Sequence, residues 1–226
     1  MSSAVEFIFM LTRDDRTIPN SLAVYDAVRD LGLPCVGFKD VGADRALVSA
    51  LVRRIKADGA LSHVELVDPD PERAFAAACE AIEAGVDRLM GGVDAERILG
   101  VAQAAGVPYH PFPGRPVGHP TRLAGTAEEI AADCRRFAAA GCAGVDLLAY
   151  RALDADPIAL VLAARAATPG RLIVAGSVNT PERICAVRAA GADAFTVGSA
   201  AVGDDPAAGI AALRARLSAL VAAAAA

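Results

Sequence analysis

The chain has 226 residues and a formal net charge of −5, long for one compact α/β unit and short for two, and no block of lysine or arginine marks a surface for nucleic acid or an anionic membrane. A hydrophobic content of 54% with a mean hydropathy of +0.40, much of it alanine and valine, excludes extended disorder and suits helices packed on a parallel sheet. The five cysteines, Cys35, Cys79, Cys134, Cys142 and Cys185, lack C-x-x-C spacing, and MSSAVEFIFMLTRDD has no basic n-region and too short an apolar run for a signal or span, so reduced thiols and a cytoplasmic location are expected.

In chain order, short apolar runs alternate with alanine-rich amphipathic stretches. The strand Glu6–Thr12 precedes the helical pattern SLAVYDAVRDLG, Pro34–Lys39 precedes DRALVSALVRRIKADG, and Ser62–Val67 precedes PERAFAAACEAIEAG. Asp87–Gly91 leads to AERILGVAQAAG, and Pro108–Phe112 leads through a long loop to AEEIAADCRRFAAAG. The strands Gly144–Tyr150, Leu172–Ala175 and Ala194–Val197 follow, with TPERICAVRAAG between the last two and a fraying helix end in LVAAAAA. Gly32, Gly59, Gly85, Gly106, Gly141, Gly170 and Gly191 stand where a helix C-cap needs a left-handed residue. Strict β-α alternation requires parallel strands with right-handed crossovers, and eight units close a ring. The reading is a single (βα)8 TIM barrel over residues 1–226, and the G-x-G-x-x-G of an open dinucleotide-binding sheet is missing after the first strand.

In such a barrel the reacting groups lie at the C-terminal strand ends. Strand seven ends in Gly176-Ser177 and strand eight in Gly198-Ser199. A helix start at Thr180, Pro181 and Glu182 follows the first of these turns. Glycine lets the backbone approach an anion, and exposed N–H groups supply donors to phosphate oxygens. The segment LIVAGSVNTPERICAVRAAGADAFTVGSAAV resembles the ribulose-phosphate-binding (βα)8 barrels, and the resemblance implies that Gly176, Ser177, Gly198 and Ser199 bind a substrate phosphate.

Alternation along the strands selects the side chains that face the barrel axis. With Val36, Phe38, Val64, Leu66, Val145 and Leu147 turned to the helices, the inward set is Gly37, Lys39, His63, Glu65, Val67, Asp146, Leu148 and Tyr150. Lys39, Glu65 and Asp146 are the candidate catalytic residues, because a lysine among buried carboxylates can move protons, steady an enolate or form a Schiff base. His63 reads as a core histidine. Two loops, TRDDRTIPNS and PFPGRPVGHPTRLAGT, bring Arg13, Arg115, His119 and Arg122 to the mouth, and with Tyr150 these are the candidate substrate-binding residues. His110 and His119 lack H-x-x-x-H spacing, so no metal is read, and no cofactor is called for, although a flavin phosphate could use the same turns.

The expected activity is carbon-acid chemistry on a small phosphorylated sugar or phosphorylated keto or hydroxy acid, as an epimerase or isomerase. The rivals are a Schiff-base aldolase or decarboxylase using Lys39, and a barrel that binds a phosphometabolite without turnover. The strand-seven and strand-eight turns, with VGFKD, are similar to those of N-acylmannosamine-6-phosphate 2-epimerases, although the lysine strand is second here and third in that family. The D-x-K-x-x-D motif of orotidine-monophosphate decarboxylases is absent, as is the strand-one cysteine motif of phosphoribosylanthranilate isomerases, whose strand-six aspartate is comparable to Asp146. The expected partners are a phosphorylated small molecule and a second copy of the chain in a homodimer, with neither nucleic acid nor membrane.

Overall fold

The computed structural model describes residues 5–203 and 209–225. Eight parallel strands, β1 (Glu6–Met10), β2 (Cys35–Lys39), β3 (Leu61–Leu66), β4 (Arg88–Gly91), β5 (Tyr109–His110), β6 (Gly144–Leu147), β7 (Arg171–Val174) and β8 (Ala194–Val197), form the sheet. The helices between and after them are α1 (Ser21–Asp26), α2 (Arg45–Ala57), α3 (Pro71–Glu83), α4 (Ala95–Ala105), α5 (Ala127–Ala140), α6 (Pro157–Ala167), α7 (Pro181–Ala189), the single turn α8 (Ser199–Val202) and α9 (Gly209–Ala225). Ladder hydrogen bonds join the strands in the order β6-β7-β8-β1-β2-β3-β4-β5. Two further backbone bonds, Ala143 N–H to Tyr109 O and Asp146 N–H to Pro111 O, both 3.0 Å, bring β6 back against β5 and nearly close the ring. This is a (βα)8 barrel. Among the described residues no helix is long and apolar enough to cross a membrane.

The helices start where the sequence supplies acceptors for their orphan N–H groups. Asp44, Asp70, Asp94, Thr126, Asp156 and Thr180 cap α2 to α7 through their side chains, with proline in the first turn of α3, α6 and α7. Thr126 and Glu129 complete a reciprocal capping box. Strand alternation then sorts the core into two shells. Phe9, Val36, Phe38, Val64, Leu66, Val145, Leu147 and Phe195 pack under the helices, while Ile8, Met10, Cys35, Met90, Ile173 and Ala194 fill the barrel axis.

Several boundaries differ from the sequence reading, each for a local reason. β1 ends at Met10 and Thr12–Arg13 pairs back with Arg16–Thr17 as a hairpin. β3 ends at Leu66 because the Asp40 carboxylate accepts the N–H groups of Val67 (2.9 Å) and Asp68 (3.2 Å), bending the chain, and Val67 joins the outer shell. β5 is two residues long, flanked by Pro108 and Pro111, which have no N–H for a ladder. β6 stops at Leu147 and the chain tightens into a 3-10 turn at Ala149–Arg151, so Leu148 packs outside and Tyr150 is not on the axis. The proline-rich loop after β5 contains a hairpin, Arg115–Val117 against Arg122–Ala124. Gly170 is not a left-handed cap, since α6 is capped by Thr168; a Cβ at Gly170 would meet Ala143 O at 2.8 Å. The expected fraying end is helical through Ala225, and Ala226 lies outside the described residues.

Candidate active site

The C-terminal ends of β1 to β3 and the turns after β6, β7 and β8 line one cavity of about 140 Å3. Lys39 is the last residue of β2, in register with Glu65 on β3, and its Nζ lies 3.1 Å from Glu65 Oε2. The Thr17 hydroxyl donates to the Lys39 carbonyl at 2.6 Å and accepts from the Lys39 N–H at 2.8 Å, so the hairpin after β1 clamps the lysine's backbone.

That hairpin also supplies Asp15, which sequence reasoning missed. Asp14 and Asp15 form its turn in the left-handed region, with φ of 50° and 62°, a conformation costing about 1 kcal/mol or more for a residue other than glycine. The Asp15 carboxylate offsets this by accepting from Lys39 Nζ (2.5 Å), Arg151 Nη1 (2.6 Å) and the Thr121 N–H (2.7 Å). Burial alone would raise its pKa, but Lys39, Arg151 and these hydrogen bonds outweigh that and hold it well below the usual carboxylate range. Glu65 goes the other way: burial pushes its pKa up, and the attraction of Lys39 only partly opposes it. Its Oε1 has no hydrogen-bond partner among the described residues.

Asp146 is fully buried on β6 and does not line the cavity. Neither carboxyl oxygen has a hydrogen-bond partner among the described residues. Burial, reinforced by the charge of nearby Glu65, drives its pKa well above the ordinary value, so the neutral acid is the favoured form.

Gly176, Ser177, Gly198 and Ser199 line the same cavity as Lys39 and Glu65. Gly176 has φ 75° and packs against Arg151, whose Nε would collide with a Cβ there. Gly198 lies against Thr12, whose hydroxyl takes up the space that a Cβ would need. Asn179, Thr12 and Thr196 also line the cavity.

The other expected substrate-binding side chains lie elsewhere. Arg13 reaches the Gly203 carbonyl at 3.4 Å and lines a separate groove with Ile18 and Leu213. Arg115 is exposed and pairs with Glu129 at 2.6 Å, and His119 and Arg122 are exposed on the same hairpin; none of the three lines the cavity. What that hairpin contributes is the backbone of Thr121. Tyr150 lies under the Arg183 guanidinium, 4.6 Å from ring centroid to carbon, while Arg183 donates to Ser177 O at 2.6 Å, so Tyr150 backs the β7 turn from outside. Arg151, one residue further along, is the side chain that enters the cavity.

At the opposite end of the barrel, ligand atoms of Glu6, Cys35 and His63 lie within 4.8 Å of one another. Arg88 and Arg171 already occupy Glu6 Oε1 and would repel a cation. His63 is satisfied there, near Leu61 O and Arg88, and burial lowers its pKa to about 3.

No protein-family model matches the sequence, and no curated protein matches it. Solved structures do match the fold. A tryptophan synthase from M. tuberculosis superposes with a TM-score of 0.69 at 20% identity, covering 99% of this chain and 94% of that one. The native KDPGal structure gives 0.66 at 18%, covering 97% and 93%. N-acetylmannosamine-6-phosphate 2-epimerase from Clostridium perfringens gives 0.63 at 12%, covering 88% of each. What this chain has in common with all three is the (βα)8 barrel fold.

Proposed function

We propose that the protein is an enzyme that moves a proton next to a carbonyl on a small phosphorylated sugar or phosphorylated keto or hydroxy acid, as an epimerase or isomerase. One observation carries this reading: a single cavity joins the Lys39, Asp15 and Glu65 cluster to the turns at Gly176-Ser177 and Gly198-Ser199. The epimerase among the similar barrels acts, by its name, on a sugar phosphate, which agrees with this class.

The residues divide the work by environment. The backbone N–H groups of the two turns anchor the phosphate. Glu65, whose pKa burial raises above the ordinary carboxylate value, takes the proton from carbon when ionised, since a raised pKa makes a carboxylate a stronger base. The electrons left behind form an enediolate, and the Lys39 ammonium, held beside Asp15, faces the oxygen on which the charge develops. Delivery of a proton to the opposite face of the same carbon restores the carbonyl with inverted configuration and completes an epimerisation; delivery to the neighbouring carbon completes an isomerisation.

Proton NMR in deuterium oxide, with phosphorylated aldoses, ketoses and keto acids offered in turn, tests this. Exchange of a C–H next to the carbonyl of one substrate, abolished in Lys39→Met and Glu65→Gln, is the expected result. Borohydride trapping of a substrate on Lys39 would favour the Schiff-base lyase instead. Phosphate-dependent binding without exchange or turnover would favour a barrel that only binds.

A further inference from the structure

The cavity contains two cations, and one of them spans its two halves. Arg151 Nη1 lies 2.6 Å from Asp15 Oδ1, the same oxygen that Lys39 Nζ touches at 2.5 Å, and 3.2 Å from the Thr121 carbonyl. Its Nε, Cδ and Cγ pack along Gly176, the first residue of the turn that follows β7. A side chain at position 176 would fill that space, so the glycine brings the guanidinium against the turn. The other turn is tied to the same acid: the Asp14 N–H donates to Ser199 Oγ at 3.2 Å, and Asp15 follows directly. An arginine fork with one edge on a carboxylate and its stem on an anion-binding turn can exchange one anion for the other at little geometric cost.

We infer that Arg151 is a phosphate ligand held in reserve by Asp15: a phosphate entering the Gly176 and Gly198 turns takes the guanidinium from Asp15 and leaves that carboxylate with Lys39 as its one charged partner, beside the Thr121 N–H. The inference rests on the proposed function, since it needs a phosphate at those turns. It adds a residue and a consequence that the turns alone do not supply. Occupancy of the phosphate site then changes the charge around Lys39, so a substrate that carries the phosphate prepares the lysine for its own reaction, and one that lacks it does not.

Inorganic phosphate is the probe, titrated calorimetrically into the wild type, Arg151→Gln, Asp15→Asn and the double variant. Loss of a charge-assisted contact predicts that Arg151→Gln binds phosphate at least about tenfold more weakly. Asp15→Asn releases the guanidinium and is expected to bind phosphate several-fold more tightly, with the gain much reduced when Arg151 is already Gln. Equal affinity in wild type and a folded Arg151→Gln would overturn the inference and leave the phosphate site standing. Should Arg151→Gln fail to fold, Asp15→Asn decides alone: unchanged or weaker binding rejects the exchange. A wild type that binds no phosphate removes the proposed site itself, and the inference with it.

Discussion

Asp146 is an acid that the fold holds without a hydrogen-bond partner among the described residues. The carboxyl is fully buried, unbonded among the described residues, and raised well above its ordinary pKa by burial and by Glu65. A carboxyl whose folded pKa exceeds its unfolded value binds a proton in the folded chain that the unfolded chain has already lost. Stability is therefore full below the unfolded value, near 3.8, and falls as pH rises toward the folded pKa, by about 1.4 kcal/mol per pH unit at most. Asp146→Asn has nearly the same shape and does not titrate. Its urea midpoint should match or trail the wild type at pH 4 and exceed it progressively from about pH 5 to about 7. A difference that stays flat with pH would show that Asp146 is ionised and partnered. The inward aim of this residue, and of Lys39 and Glu65, was legible from the bulky neighbours that alternate with them. Asp15 and Arg151 were not legible in the same way, because neither sits on a strand of the barrel. One enters the cavity from a left-handed hairpin turn and the other from a 3-10 turn, and no periodicity specifies where such turns point.

At the scale of elements, the turns after the strands carry the site, and two glycines show how differently the same residue type acts. Gly198 joins β8 to α8, and a Cβ there would overlap Thr12 Oγ1 and lie 3.0 Å from the Thr12 carbonyl, so the hairpin after β1 can approach only a glycine. Gly100 lies inside α4 with nothing within 4 Å of a Cβ. Gly198→Ala should lower stability by about 1–3 kcal/mol through overpacking, while Gly100→Ala should raise it by about 0.5–1 kcal/mol through helix entropy. Chemical denaturation of the two variants checks both signs, and equal effects would mean that the contact at Thr12 is soft. The glycines at these turns were visible in the sequence, as were the helix starts at Thr180 and Pro181. The hairpins were not: TRDDRT and RPVGHPTRLA read as charged or proline-rich loops, because strands of two or three residues leave too short a pattern to detect. Misplacing the second of them is what put Arg115, His119 and Arg122 over the mouth.

For the whole molecule, eightfold β-α alternation identified the barrel, but it could not show that the ring is uneven. From β1 to β3 the strands are joined by continuous ladders, with Cys35 to Lys39 paired residue by residue with Leu61 to Glu65. Between β5 and β6 the prolines around Tyr109–His110 leave, among the described residues, the backbone bonds from Ala143 to Tyr109 and from Asp146 to Pro111. The unbonded Asp146 carboxyl lies on the same strand, which lowers what the seam gains by closing. Backbone bonds in regions with few supporting contacts open in sub-global steps well below the free energy of complete unfolding. Native-state hydrogen exchange at increasing urea should therefore find the Ala143 and Asp146 amides exchanging through a partial opening, while those of Phe38 and Val64 wait for global unfolding. Asp146→Asn, by removing the buried acid, should slow exchange at the seam near neutral pH without altering the amides of β2. Seam amides that exchange only with global unfolding would mean that the packing of α5 and α6 over β6 supplies what the missing ladder does not, and that the barrel behaves as one cooperative ring.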